Sequence, residues 1–144
     1  MDLSTLATRI SAIMTSNVVT VDMDTSLKTI CAIFDKRKFH HLIVVEDDKM
    51  LGVISDRDVL KALSPFLNTL AEQARDLSTL KKRAHQIMSR KPFTITKDAE
   101  LKDAAQIMLR ENISCLPIVS RDGEVEGIVT WKDLLKACSQ QTNV

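Results

Sequence analysis

Apolar positions change their spacing several times along the chain, and each change marks an element. VVTV (18–21) and FTIT (93–96) are short β-branched runs that suit strands. After them Leu27, Ile30, Ile33 and Phe34 recur at helical spacing, as do Leu101, Ala104, Ala105, Met108 and Leu109, so a helix follows each first strand. LIVV and MLGVIS then flank the acidic turn EDDK, while CLPIV and VEGIVT flank SRDGE, and turns this short favour antiparallel hairpins. A closing helix ends each series. The predicted order is helix, strand, helix, strand, strand, helix, performed twice.

The two series are copies of one another. LATRISAIMTSNVVTV (6–21) set above LKKRAHQIMSRKPFTI (80–95) aligns Leu6 with Leu80, Arg9 with Arg83, Ile13 with Ile87 and Met14 with Met88, at a constant offset of 74. The offset continues through SLKTICAIFDKRKFHHLIVV (26–45) against ELKDAAQIMLRENISCLPIV (100–119). One extra residue in the second hairpin shifts it to 75, and GVISDRDVLK (52–61) then falls on GIVTWKDLLK (127–136). The first repeat with its leading helix covers 1–61, and the second, with its own leading helix and a short tail, covers 80–144. Between them, ALSPFLNTLAEQARDLST (62–79) reads as a helical linker, because Pro65 ends one helix and the polar stretch beyond it is rich in helix formers. Each repeat has about 56 residues, small for a core of its own, so the two are expected to pack together as one pseudo-twofold module.

Composition narrows the function. The hydrophobic content of 44% supports a real core, whereas a net charge of +1 gives no global field to draw the chain to nucleic acid or to an anionic membrane. Four Phe, one Trp and no Tyr leave little surface for stacking exposed bases. No apolar run approaches the roughly 18 residues of a membrane span. Cys31, Cys115 and Cys138 are widely spaced within apolar segments, as reduced thiols in a cytoplasmic protein would be. There is no P-loop, no nucleophile beside a base, and no set of ligands at metal-binding spacing around His40 and His41, so neither catalysis nor a bound metal is expected.

The polar joint within GVISDRDVLK holds the candidate chemistry. Ser55-Asp56-Arg57-Asp58 fits a capping box that occupies the first free N–H groups of a helix. A strand end, a polar turn and a helix start also make a place where an anion can sit, with Asp58 open to sugar hydroxyls. One copy does not separate the two readings. Ser55 and Asp58 recur in register as Thr130 and Asp133.

Taken together, IMTSNVVTV with IMSRKPFTI, HHLIVV with SCLPIV, and the closing pattern of Gly, two apolar residues, Ser or Thr, two further residues and Asp resemble the cystathionine β-synthase (CBS) domain, twice in register. The chain is similar to a stand-alone tandem CBS pair, or Bateman module. The resemblance implies an α+β fold of two β-α-β-β-α repeats, each preceded by a helix and packed about a pseudo-twofold. It further implies two clefts between the repeats for adenosyl ligands such as AMP, ADP, ATP, S-adenosylmethionine or NAD.

Within such clefts the family's ribose contacts carry over to Ser55 with Asp58 and to Thr130 with Asp133. A carboxylate that accepts from both vicinal hydroxyls makes charge-assisted bonds and selects for the diol. The adenine would lie along Asn17, Val18, Val19 and Thr20 or along Lys91, Pro92, Phe93 and Thr94. Phosphate would fall to His40, Arg57 and Lys132, although Arg57 and Lys132 are equally read as solvated residues at a helix start. The second-repeat counterparts of the two histidines, Ser114 and Cys115, supply no such charge, so the clefts are expected to differ in phosphate preference. The chain departs from the family pattern at Ile43, where the second copy has Pro117, in lacking a proline just after each first strand, and at Trp131, which stands between Thr130 and Asp133 and either lines a cleft or packs at an interface.

The function this implies is a non-catalytic regulatory module that needs no cofactor, takes an adenosyl ligand as effector, forms a homodimer, and acts on a separate partner protein or through its dimer geometry. The rival reading is a structural or interaction module whose clefts stay empty.

Overall fold

The computed structural model describes residues 3–140, with mixed α and β structure throughout. Its chain forms two compact units, Val19–Lys91 and Met1–Val18 with Pro92–Val144. The units do not follow the order of the repeats. The leading segment of the chain belongs with the second repeat, and the segment that leads into the second repeat belongs with the first.

In Val19–Lys91, β1 (Thr20–Val21), β2 (His41–Glu46), β3 (Lys49–Ser55) and β4 (Ser89–Arg90) form one sheet in the order β1-β2-β3-β4. β1 runs parallel to β2, and the two later pairings are antiparallel. The β2–β3 hairpin turns through Asp47 and Asp48, with φ of 50° and 64°, a left-handed pair that matches the twist of the strands. Helix α1 (Leu27–Lys36) follows β1, with the Ser26 hydroxyl accepting from the Thr29 N–H at 3.2 Å. Helix α2 (Asp56–Ala62) follows β3. Leu27 and Ile30 of α1, Leu42 and Val44 of β2, Ile54 of β3 and Val59 of α2 form the core, joined by Ala84.

The other unit repeats this plan with looser edges. β5 (Cys115–Val119) and β6 (Val125–Thr130) pair antiparallel. The outer strands shrink to single bridges, Ile95 parallel to Ile118 and Thr15 antiparallel to Ile128. Helix α5 (Leu101–Glu111) ends on Asn112 at φ 54°, a left-handed cap, and α6 (Trp131–Gln140) closes the unit. Ile10, Leu101, Ala104, Met108, Leu116, Ile118, Val129 and Leu134 fill its core.

Matching atoms hold the leading segments in place. Arg83 Nη1 donates to the carbonyl of Asp24 at 2.9 Å, and Arg9 Nη1 donates to that of Asp98. Arg9 bridges Glu100 as Arg83 bridges Ser26, each pair displaced by the 74 residues of the repeat.

The helical linker and the leading helices are more broken than the sequence suggests. Residues 64–71 form turns, followed by α3 (Ala74–Ser78), a 3-10 turn (Thr79–Lys81) and α4 (Ala84–Ile87). Tertiary hydrogen bonds outweigh helix propensity here. Buried Asp76 takes the Ser64 hydroxyl at 2.6 Å and the Gln73 N–H at 2.8 Å, which starts α3 late. The Lys82 carbonyl accepts from the Leu27 N–H at 2.7 Å while the Ala84 N–H donates to Thr25, which draws the chain out of the helix at 82–83. At the N-terminus, Ile10 and Ser11 give their N–H groups to the Ala99 and Lys97 carbonyls, and only 3-10 turns, Leu3–Ala7 and Ile10–Ala12, remain. The predicted first strands are likewise shorter, reduced to Thr20–Val21 and to Ile95 alone.

Candidate functional site

Each repeat turns from its last strand into its last helix over the residues singled out from the sequence. In the first, the Ser55 N–H donates to Asp58 Oδ2 at 2.8 Å and the Asp58 N–H donates to Ser55 Oγ at 3.1 Å, a complete capping box. In the second, the Thr130 N–H donates to Asp133 Oδ2 at 2.8 Å and the Thr130 hydroxyl donates to the same oxygen at 3.2 Å. In both, Oδ2 of the aspartate is engaged by the cap. Oδ1 accepts no hydrogen bond among the described residues.

Identical backbone bonds fix what flanks these aspartates. The Asp56 N–H donates to the His40 carbonyl at 3.0 Å, and the Trp131 N–H donates to that of Ser114 at 3.1 Å. The side chains at these matched positions differ in chemistry. His40 Nδ1 lies 2.8 Å from Asp56 Oδ2, with the two side chains 58% and 49% exposed. Trp131 instead has Lys132 Nζ 5.9 Å from its ring centroid. Arg57 is exposed and makes no hydrogen bond or ion pair among the described residues. Of the residues assigned to phosphate, His40 is therefore already engaged by a carboxylate, Lys132 leans on Trp131, and Arg57 is free.

The next position is a half-buried neutral group in both repeats. Burial holds the His41 imidazole below its ordinary pKa, with Asp56 and Asp58 pulling the other way and His40 adding to the depression. Its counterpart Cys115 has its thiol pushed up to about 12 by burial. Asp76 is held below the usual carboxylate range chiefly by the Ser64 hydroxyl and then by the Gln73 N–H.

The adenine candidates divide between the units. Ser89 and Arg90 of β4 pair with Val53 and Gly52, so Lys91 follows directly from the strand beside the one that ends at Ser55. Lys91 has φ 50°, a left-handed turn at the end of that strand. Val19 and Thr20 belong to the same unit, whereas Asn17, Val18, Pro92, Phe93 and Thr94 belong with Thr130 and Asp133. Phe93 is 49% exposed and forms no part of its unit's core.

Asp58 also lines an open cleft of about 300 Å³ with Lys61, Ala62, Lys82, Gln86 and Ile87. Lys82 Nζ donates to the Ala62 carbonyl at 3.1 Å. Sequence reasoning gave Lys61, Ala62, Lys82, Gln86 and Ile87 no role. Lys61 recurs in register as Lys136 and could have been noticed, but Lys82, in the segment that leads into the second repeat, matches Thr8, so nothing in the repeat marks it. Among the described residues no three His, Cys, Asp or Glu side chains gather as a metal site, and no helix is long and apolar enough to cross a membrane.

The family model of the CBS domain matches residues 10–65 and 84–140. A CBS domain-containing protein of Dictyostelium discoideum is 33% identical over 128 residues, 88% of this chain and 88% of that one. The crystal structure of protein MJ1225 from Methanocaldococcus jannaschii superposes with a TM-score of 0.80 at 27% identity, covering 90% of this chain and 47% of that chain. The CBS domain pair of protein MJ0100, crystallised with 5′-methylthioadenosine and S-adenosyl-L-methionine, gives a TM-score of 0.78 at 26% identity over 94% of this chain and 99% of that chain.

Proposed function

Because the chain belongs to the CBS-domain family, with both repeats present, we propose that it is a non-catalytic regulatory module whose effector is an adenosyl ligand. The observation that carries this reading is the matched pair Asp58 and Asp133, each with one carboxylate oxygen spent on its helix cap and the other left over. On this reading Ser55 with Asp58 and Thr130 with Asp133 hold the ribose diol. Asn17, Val18, Val19, Thr20, Lys91, Pro92, Phe93 and Thr94 face the base, and His40, Arg57 and Lys132 are the phosphate contacts. The ligands crystallised with MJ0100 support the adenosyl class. No resident cofactor is involved. The protein works in the cytoplasm as a homodimer, which the exposed Leu60 and Leu135 at matched positions of α2 and α6 support, and it signals to a partner protein or through dimer geometry. A ligand shifts such an equilibrium only by its differential affinity for the two states.

A thermal-shift series with AMP, ADP, ATP, S-adenosylmethionine, 5′-methylthioadenosine and NADH tests the proposal, each variant being compared with its own ligand-free melting point. At about a hundredfold excess over Kd a ligand adds about 2.7 kcal/mol. In a chain of this size that raises Tm by roughly 5 to 10 °C. Asp58→Ala and Asp133→Ala should each reduce the shift. The alternative, an interaction module without ligand, is favoured by the capping roles that already occupy both aspartates, and it is the correct reading if no compound shifts the wild type.

A further inference from the structure

We infer that Asp56 is a specificity-determining residue: it competes with a ligand phosphate for His40 and so biases the Asp58 site toward adenosyl ligands that carry no phosphate. The inference rests on the adenosyl-binding reading above and adds to it a difference between the two sites.

Asp56 has no part in the cap, which Ser55 and Asp58 complete between themselves. Its N–H is anchored on the His40 carbonyl at 3.0 Å, so the two side chains are held shoulder to shoulder and their 2.8 Å link follows from the backbone. Both side chains are about half exposed, and a pair in that setting contributes little to stability. The link is therefore available to be broken by a ligand. A phosphate that reaches His40 must displace the Asp56 carboxylate and then remain next to it, like charge beside like charge.

The second repeat keeps the backbone anchor and changes the side chains. Ser114 and Trp131 stand where His40 and Asp56 do, and Lys132 covers the Trp131 ring. No carboxylate opposes a phosphate at that position. The cations near Asp58 do not reverse the comparison, since Arg57 is matched by Lys132, Lys61 by Lys136, and Lys82 is turned onto the Ala62 carbonyl. Asp56 thus shifts the Asp58 site, relative to the Asp133 site, toward a nucleoside, thioether or sulfonium at the 5′ position and away from a 5′-phosphate.

Calorimetric titration of the full chain with AMP and with 5′-methylthioadenosine, in an Asp133→Ala background that isolates the Asp58 site, tests this. Adding Asp56→Asn should tighten AMP on the order of fivefold while moving 5′-methylthioadenosine less than twofold. The reciprocal change, Trp131→Asp in an Asp58→Ala background, should weaken AMP at the other site by a similar factor. If Asp133→Ala does not fold, Asp133→Asn serves as the background. AMP unchanged by Asp56→Asn, or both ligands tightened equally, overturns the role of Asp56 and leaves the adenosyl reading standing. Failure of both ligands to bind the wild type overturns the two together.

Discussion

A methyl group placed on Gly52 would sit 2.6 Å from the carbonyl oxygen of Ser89. Gly127 stands in the same relation to Thr15, at 2.8 Å. Each glycine lies in the inner strand of its unit where a leading segment crosses it, and the obstacle is backbone, which cannot swing aside. Gly52→Ala and Gly127→Ala should each cost about 1–3 kcal/mol, the usual penalty for overpacking. Urea denaturation measures this, and losses under about 0.5 kcal/mol would mean that the close crossing is not a constraint.

The two caps should respond unequally to loss of their hydroxyls. Ser55 Oγ accepts from the Asp58 N–H, so Ser55→Ala should cost about 1 kcal/mol. The Thr130 hydroxyl donates to a carboxylate oxygen that the Thr130 N–H already holds, so Thr130→Ala should cost less. Equal losses in chemical denaturation would show that the hydroxyls play one role in both repeats.

Burial of His41 makes stability depend on pH. Its pKa is lower in the folded chain than the ordinary 6.5, so the unfolded chain binds the proton first. The contribution is complete above about 6.5 and is lost as pH falls toward the folded value. Urea midpoints taken at about pH 7.5 and about pH 5.5 should fall for the wild type and fall less for His41→Gln, which has no proton to gain. Parallel curves would remove His41 as the cause.

The thiol of Cys115, raised to about 12, offers almost no thiolate near neutral pH. Iodoacetamide at about pH 8 followed by peptide mapping should leave Cys115 unmodified in the folded chain and modify it in urea. Labelling of the folded chain at the rate of a free thiol would contradict this.

The sequence showed which segments are copies and which residues match, because register survives in apolar spacing and in positions such as Asp58 and Asp133. It could not show which unit a leading segment joins. The segments that carry Arg9 and Arg83 are alike, so the local pattern fits either repeat, and the choice is made by backbone bonds to Ala99 and to Thr25. The linker and the segment after it are less helical than the sequence predicts for a related reason. Helix propensity is a sum over neighbours in sequence, whereas Ser64 meets Asp76 and Leu27 meets Lys82 only once the chain has folded back. The matched caps of Ser55 with Asp58 and Thr130 with Asp133 were legible from recurrence. The His40–Asp56 link was not, since it spans 16 residues and depends on a hairpin register that sets His41 opposite Ser55.

The interleaving of the segments sets an order on synthesis. Val19–Lys91 emerges from the ribosome as one continuous stretch with all of its strand partners inside it. Thr15, by contrast, has its bridge to Ile128, and must wait while the intervening chain is made. At about 5–20 residues per second that wait is roughly 6 to 23 s. Until residues 95–108 follow, Ile10, Ile13 and Met14, which later pack in the second repeat's core, have no final partner. A segment made before Val19–Lys91 is thus housed after it, and until then it is open to a nascent-chain chaperone.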